Sequence, residues 1–145
     1  MLRIGVLFVT VLLLSSHAFA DVLIKESEAR LPAAAPAPAT RAITRGPTIR
    51  VLSPDVAAKS LSSPFPLRIA FEPHGGAKID PLSVKLTYLR IPNIELADRV
   101  KAGLTDKGVE LASAEVPPGE HQIRVTVNDT EGRQSSLVFN LSVVK

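Results

Sequence analysis

Apolar and polar residues alternate along four runs between residue 47 and the end of the chain. The apolar positions of these runs are Phe65, Leu67, Ile69 and Phe71, then Leu82, Val84, Leu86 and Tyr88, then Ile123, Val125 and Val127, and finally Leu137, Phe139, Leu141 and Val143. Successive side chains of a strand point to opposite faces of a sheet, so each run predicts a strand with one buried face. Two weaker strands are predicted at residues 48–52 and 109–112.

Turn-forming residues separate the predicted strands. They occupy residues 53–55 (Ser-Pro-Asp), 73–76 (Pro-His-Gly-Gly), 117–119 (Pro-Pro-Gly) and 129–132 (Asp-Thr-Glu-Gly). Short strands joined by such turns are typical of an antiparallel β-sandwich. The length from residue 47 onward is sufficient for one sandwich core.

Residues 93–103 interrupt this pattern and fit two local structures. A short helix would begin at Asn93, which suits a helix N-terminus, and would end at Gly103. Its inner face would carry Ile94, Ala97 and Val100. A short strand at residues 94–96 followed by a turn fits equally well, so the sequence leaves both interpretations open.

The order of strands and turns from residue 47 to the end resembles a bacterial immunoglobulin-like domain of exported proteins. The most specific part is the closing stretch, VELASAEVPPGEHQIRVTVNDTEGRQSSLVFNLSVV. In it, a Pro-Gly-x-His step enters one strand and Asn-Asp-x-x-Gly-Arg turns toward the last. The resemblance implies an all-β fold, an immunoglobulin-like antiparallel β-sandwich of about seven strands over residues 47–145. The chain lacks the Cys pair and the Trp of antibody-type domains, and the resemblance assigns no catalytic residue.

The first twenty residues, MLRIGVLFVTVLLLSSHAFA, have the three parts of a secretory signal peptide. Arg3 supplies a positive charge, residues 4–14 form an apolar stretch, and residues 18–20 (Ala-Phe-Ala) match a cleavage site. The alternative is an uncleaved anchor, but so short a helix spans about 16 Å, about half of a hydrocarbon core. We expect a Sec-type signal peptide whose cleavage leaves a periplasmic or secreted chain. That chain begins at Asp21 and has no stable membrane insertion.

Residues 21–46 are predicted to form a flexible linker between the signal peptide and the domain. Ten of the fourteen residues in ARLPAAAPAPATRA, at positions 29–42, are Ala or Pro. Proline removes backbone donors and opposes a continuous helix, so this composition favours an extended, semi-rigid spacer. A second interpretation is electrostatic contact between the basic residues of the linker and an anionic wall or membrane surface.

Composition removes several classes of function. Without any Cys, the chain has no disulfide framework, thiolate metal site or cysteine nucleophile. An aromatic share of 4% argues against a surface on which bases or sugars stack. The net charge of +3 gives no electrostatic footprint for nucleic acid, so no nucleic-acid partner is expected.

Few side chains after the signal peptide suggest catalysis or metal binding. His74 and His121 are the only histidines there, too few for a zinc site without Cys, and His121 could instead bond the Pro-Gly turn before it. We therefore expect no enzyme activity, no catalytic, cofactor-binding or metal-binding residue, and no cofactor. The loop carboxylates that could bind calcium are Glu72, Asp98, Asp106, Asp129 and Glu131. Residues 129–132 more simply form a turn in which Asp129 bonds its own backbone and Gly132 has a positive φ.

These features predict an exported, non-enzymatic binding or structural module of the bacterial envelope. We expect it to bind an unidentified protein or cell-envelope component through its edges and loops, independently of His74 and His121. The alternative is a calcium- or carbohydrate-binding accessory module of an extracytoplasmic system. A small hydrolase is the third class, and it would require Ser, His and an acid in one pocket.

Overall fold

The computed structural model describes residues 20–35 and 45–145. The predicted signal peptide, apart from Ala20, and residues 36–44 of the predicted linker lie outside these residues. The strands are β1 (Asp21–Val22), β2 (Thr48–Ser53), β3 (Leu61–Ser62), β4 (Phe65–Glu72), β5 (Ile79–Tyr88), β6 (Ile94–Glu95), β7 (Leu104–Thr105), β8 (Gly108–Glu115), β9 (Gly119–Asp129) and β10 (Gln134–Val144). The helices are α1 (Glu26–Ala29) and α2 (Ala97–Val100), and a 3₁₀ turn (Lys101–Gly103) follows α2.

The strands form two sheets that enclose one hydrophobic core. In the first sheet the order is β1-β8-β4-β2, with β7 also paired to β8, and in the second it is β3-β10-β9-β5-β6. β1 and β3 pair in parallel with β8 and β10, and the other pairs of these strands are antiparallel. The described residues are therefore mostly β and form a sandwich, as predicted. The two sheets are mixed where the prediction was antiparallel, because the short strands β1 and β3 pair in parallel.

Alternation places the predicted apolar faces of β4, β9 and β10 in the core. The buried residues of these strands include Phe65, Leu67, Ile69, Phe71, Ile123, Val125, Val127, Phe139, Leu141 and Val143. Burial of each such side chain contributes about 1.5–3 kcal/mol, which offsets the entropy lost on ordering the chain. Leu137 is only half-buried. The weaker strands predicted at residues 48–52 and 109–112 are present as β2 and β8.

Leu82 departs from the prediction that it belongs to the buried face of its run. Its side chain is 97% exposed, whereas the next three apolar residues of the run are buried. The pairing between β5 and β9 shifts register between Asp80 and Lys85, and the Asp80 carboxylate accepts the backbone N–H of Leu82 at 3.0 Å. This bulge turns Leu82 outward, a local irregularity that alternation alone does not predict.

Residues 93–103 adopt parts of both predicted structures in succession. β6 provides the short strand and pairs with β5. α2 then begins at Ala97, directly after Leu96, whose side chain is fully buried. The helix is shorter than predicted because residues 94 and 95, which were expected in its first turn, belong to β6. Asn93 therefore does not cap the helix.

Residues 21–34, which we call the N-terminal segment, do not form a solvated linker. Leu23 and Ile24 are 0% and 1% exposed and belong to the core. The backbone N–H of Leu23 bonds the carbonyl of Glu115 at 3.0 Å, directly after β1 pairs with β8. The linker prediction is corrected for this part of the chain. The Ala- and Pro-rich composition starts only near residue 29, and the apolar Val-Leu-Ile triplet before it buries two side chains against the sandwich.

The N-terminal segment touches both sheets. α1 lies against α2 through Glu28 and Arg99, whose side chains make two N–H···O contacts of 2.5 and 2.7 Å and are 14% and 23% exposed. The hydrogen bonds from Arg99 hold the pKa of the Glu28 carboxyl below its usual value. Beyond α1, Ile91 donates its backbone N–H to the carbonyl of Pro32 at 2.9 Å. The segment thus begins on the first sheet and ends beside the second.

Candidate functional site

His121 belongs to a buried chain of hydrogen bonds that joins β5 to β9. Its Nδ1 lies 2.8 Å from the hydroxyl of Tyr88, and its Nε2 lies 2.7 Å from the carbonyl oxygen of Pro117. A carbonyl oxygen only accepts, so Nε2 carries the proton and Nδ1 accepts the hydroxyl proton of Tyr88. Arg90 completes the chain, since its Nε donates to the Tyr88 oxygen at 2.7 Å. The contact with Pro117 confirms that His121 bonds the turn before it.

Arg90 connects this chain of bonds to the N-terminal segment. Its Nη1 donates to the carbonyl of Leu31 at 3.1 Å, and its Nη2 donates to the carbonyl of Glu120 at 2.8 Å. The guanidinium carbon also lies 5.0 Å from the centre of the Tyr88 ring, within the range of a cation–π contact. One side chain therefore holds the segment, β5 and the start of β9 together.

Burial shifts the pKa values of both His121 and Tyr88. Burial lowers the pKa of His121, and the Arg90 charge lowers it further, against the opposing effects of the Pro117 carbonyl and Glu120. Burial also raises the pKa of Tyr88, which keeps its hydroxyl protonated and able to donate. His121 is therefore neutral in the folded protein at neutral pH, with both ring nitrogens bonded. This geometry is that of a structural network.

We predict that the folded state loses stability as the pH falls below about 6.5, the ordinary pKa of histidine. Because the pKa of His121 is lowered in the folded state, the unfolded chain binds more protons in this window. Lower pH therefore favours unfolding until the folded pKa is reached. The midpoint of urea unfolding, measured between about pH 7.5 and pH 5.0, should fall in the parent protein. His121→Gln should flatten this dependence, because glutamine does not titrate.

His74→Gln is the matched control for this experiment. His74 is exposed in the loop after β4, so its replacement makes the same change of side chain away from the buried network. Glu28 and Asp129 have lowered pKa values, so their contributions are lost only below about pH 4.5, outside the window. If the urea midpoint of His121→Gln still falls with pH, another group must titrate in this window.

His74 has its own, separate partner. Its Nε2 lies 2.7 Å from the hydroxyl of Thr48, and a pocket of about 220 Å³ opens beside them between Gly46 and Ser136. The two histidines therefore have different partners on different strands. Among residues 20–35 and 45–145, no three His, Asp or Glu side chains are grouped so that they could hold a metal ion.

The loop carboxylates considered for calcium are distributed over separate places. Glu72 pairs with Arg50 at 3.3 Å, on the first sheet. Glu131 pairs with Arg133 at 3.0 Å, in the turn after β9. Asp98 lies in the first turn of α2, and Asp106 lies between β7 and β8. The fifth candidate is Asp129.

Asp129 forms the turn between β9 and β10, as predicted. Its Oδ1 accepts the backbone N–H groups of Glu131 and Arg133, both at 2.9 Å, and Gly132 has a φ of 78°. Its Oδ2 accepts the Nε–H of Arg133 at 2.7 Å. Burial alone would raise the pKa of Asp129, but these hydrogen bonds hold it below its usual value. The carboxylate therefore closes the hairpin as a charged structural group.

The outer face of the second sheet, which we call the polar face, consists mainly of neutral polar side chains. Its members are Asp80, Lys85 and Thr87 on β5, Glu95 on β6, Glu120, Gln122, Arg124, Thr126 and Asn128 on β9, and Gln134, Ser136, Val138, Asn140 and Ser142 on β10. The strand register aligns them in rows, of which two are Lys85-Thr126-Ser136 and Thr87-Arg124-Val138. Because side chains alternate along each strand, burial of the apolar side chains in the core leaves these polar side chains on the outside.

The outer face of the first sheet has a different character. Two ion pairs cross it, Arg50 with Glu72 at 3.3 Å and Arg68 with Glu110 at 3.7 Å, and all four side chains are more than half exposed. Solvated pairs of this kind contribute little to stability and are ordinary on an exposed sheet face. The polar face carries two cations, Lys85 and Arg124, and its three carboxylates, Asp80, Glu95 and Glu120, lie at its margin. Glu95 accepts the hydroxyl of Thr87 at 3.0 Å, and Glu120 accepts the hydroxyl of Ser142 at 2.7 Å.

β10 forms one side of the polar face and lies near the edge of its sheet. Its eleven residues, QSSLVFNLSVV, include no charged side chain. Among the described strands, its outer edge pairs only with β3, at Val143 and Val144. Sheet edges are commonly protected from association by charged residues or proline. The part of this edge at residues 136–142, where no described strand pairs, suits contact with a partner.

The polar face continues into a groove beside the N-terminal segment. This groove has a volume of about 330 Å³, and its lining includes Ala33, Ala34, Leu89, Arg90, Gln122 and Asn140. Gln122 and Asn140 are paired neighbours on β9 and β10, so they belong to both features. The polar face and the groove form one continuous surface.

No protein-family model, curated protein or solved structure matches this chain. Within residues 20–35 and 45–145, no helix is long and apolar enough to cross a membrane. The chemistry of the polar face follows from its side chains. Amides and hydroxyls donate and accept hydrogen bonds, and they lose less on desolvation than charged groups do.

Proposed function

We propose that the protein is an exported, non-enzymatic immunoglobulin-like module of the bacterial envelope, and that the polar face binds another protein of the envelope. Export rests on the signal-peptide pattern of residues 1–20. The observation that carries the binding role is the contrast between the two outer faces. Ion pairs cross the first sheet, whereas amides and hydroxyls form most of the centre of the polar face and its carboxylates lie at the margin. The centres of protein interfaces are depleted in charged residues.

The order of the strands supports the immunoglobulin-like part of this proposal. Immunoglobulin-type sandwiches have the order A-B-E-D in one sheet and C-F-G in the other. Assigning A to G, in chain order, to β2, β4, β5, β7, β8, β9 and β10 reproduces both orders. β6, beside β5, then has the place of the additional strand C′. The N-terminal segment is an addition to this frame.

Arg124 lies in the interior of the polar face and is its strongest candidate for an energetically dominant contact. Its neighbours across the sheet are Thr87 and Val138. Arginine is enriched among residues that dominate binding energies, because its planar guanidinium forms several hydrogen bonds and stacks on other groups. The amides and hydroxyls around it supply adaptable hydrogen bonds to a partner.

The alternative class, a calcium- or carbohydrate-binding accessory module, has less support. Sugar rings commonly pack on aromatic side chains, and the one Tyr of the chain, Tyr88, is fully buried in the core. The carboxylates considered for calcium lie in separate loops and ion pairs. Tyr88 is therefore not placed to contact a sugar, and these carboxylates are not placed to bind one calcium ion together.

A charge placed on the polar face tests the proposed binding role. Thr126→Glu adds a carboxylate to the middle strand, whereas Ala112→Glu adds one to an exposed position of β8 on the opposite face. We expect Thr126→Glu to reduce capture of the partner by about tenfold or more, because a partner docked on the polar face must dehydrate the added carboxylate. A tenfold loss corresponds to about 1.4 kcal/mol. Capture is measured in the native host with a photo-reactive residue in place of Ser136. Ala112→Glu should capture as the parent does.

Both substitutions lie on outward faces of strands, so the two variants should keep the unfolding midpoint of the parent. Equal capture by the two variants would remove the polar face as the binding surface. Capture of a glycan in place of a protein would favour the carbohydrate-binding alternative.

A further inference from the structure

The N-terminal segment lies in a groove that is formed by later parts of the chain. This receiving groove runs from the end of β8, past α2, to residues 89–91. The backbone carbonyl of Glu115 accepts the N–H groups of Leu23 and Ile24 at 3.0 and 3.4 Å. At the other end, the carbonyl of Leu89 accepts the N–H of Ala34 at 3.3 Å.

The receiving groove is specific for the side chains of the segment. Leu23 and Ile24 complete the hydrophobic core and are almost fully buried. Arg99 binds both carboxylate oxygens of Glu28, and its Nη1 also donates to the carbonyl of Leu23 at 2.9 Å. The groove therefore recognises two apolar residues and, a short distance along, one carboxylate.

The segment is also a separable piece of the fold. β1 contributes two residues to the first sheet, whereas β4 and β8 contribute eight each. Side-chain burial, more than a strand ladder, therefore holds it. Residues 36–44, PAPATRAIT, connect it to the remainder of the domain, and a chain of this length reaches at most about 32 Å.

We propose that the receiving groove also accepts the N-terminal segment of a second copy, so that two chains form a dimer by exchanging their segments. Every contact described above is the same whether the segment comes from its own chain or from another copy. The two arrangements differ in free energy through the connecting residues and the cost of association. The exchanged dimer is therefore favoured as the protein concentration rises. This inference is independent of the polar face.

The ion pair between Glu28 and Arg99 provides a test in which exchange alone restores the contact. Glu28→Arg places two cations together, and Arg99→Glu places two carboxylates together, in a partly buried position. In an exchanged dimer of one variant with the other, one groove contains the native pair and the other contains the reversed pair. Both grooves are then electrostatically matched. In separate monomers, both remain mismatched.

We expect a mixed dimer when the two variants are unfolded, combined at equal concentration, refolded and examined by native mass spectrometry. It should exceed either same-variant dimer by about tenfold or more, because like charges placed together are strongly disfavoured. The matched control combines Arg50→Glu with Glu72→Arg, whose pair joins β2 to β4 away from the groove. That control should give no excess. No excess for folded position-28 and position-99 variants overturns the proposal.

A second experiment does not depend on the stability of the charge variants. Val22 and Glu115 are partners in the pairing of β1 with β8, and both are exposed. Because the chain has no Cys, chains with Val22→Cys and chains with Glu115→Cys should form a disulfide-linked mixed dimer when a segment crosses between copies. A mixture of Leu82→Cys with Glu115→Cys measures random collision. Linkage through position 22 that does not exceed this control overturns the exchange, and linkage well above it supports the exchange.

Discussion

Val125→Asp is expected to lower the free energy of unfolding by several kcal/mol. Val125 is fully buried in the middle of β9, between Leu86 of β5 and Leu137 of β10. A carboxylate at this position would lose its hydration without gaining a partner, and protonation would relieve the cost only in part. Thermal unfolding followed by circular dichroism should show a melting temperature lower by about 10 °C or more.

Arg124→Asp is the matched control, one residue away on the same strand. Its side chain lies on the polar face, so an aspartate there remains hydrated and should change the unfolding free energy by less than about 1 kcal/mol. A shift of β9 by one residue would exchange the two faces. Equal melting temperatures for the two variants would therefore contradict the observed register.

Leu23→Asp is expected to have the second large effect. Leu23 is 0% exposed within the core, although it lies close to the predicted signal peptide. Removing its apolar side chain and introducing a buried carboxylate should cost about 3 kcal/mol or more. The urea midpoint of the full chain measures this loss. In a solvated linker the same substitution would have almost no effect.

Val22→Asp distinguishes burial from a general effect of charge near β1. Val22 is 47% exposed, so its replacement should change the unfolding free energy by less than about 1 kcal/mol. Similar midpoints for the two variants would mean that the N-terminal segment does not pack on the sandwich in solution.

The long strands could be predicted because each has one apolar and one polar face. The prediction is wrong at Leu82, where the Asp80 carboxylate holds a bulge that alternation does not reveal. The N-terminal segment could not be predicted in the same way. Its apolar residues are few, and their burial depends on partners far along the chain, as with Glu28 and Arg99, which are 71 residues apart.

The candidate site was less accessible to sequence reasoning than the fold. The neutral residues of β9 and β10 are visible in the sequence, but the pairing of β5, β9 and β10 is what unites them into one face. Similarly, Tyr88 and His121 are 33 residues apart, and no local motif marks their hydrogen bond. The turn at Asp129 could be predicted because its hydrogen bonds connect residues two and four positions apart.

The position of Tyr88 gives the folded protein an internal optical reporter. The chain has one Tyr and no Trp, so its tyrosine fluorescence comes from a single ring. That ring is fully buried, with its hydroxyl bonded to His121 and Arg90, and both conditions end when the ring becomes hydrated. Its emission therefore follows the junction of the N-terminal segment with the second sheet, whereas far-ultraviolet circular dichroism follows the strands of both sheets. Opening at this junction is distinguishable from unfolding of the whole sandwich without any added label.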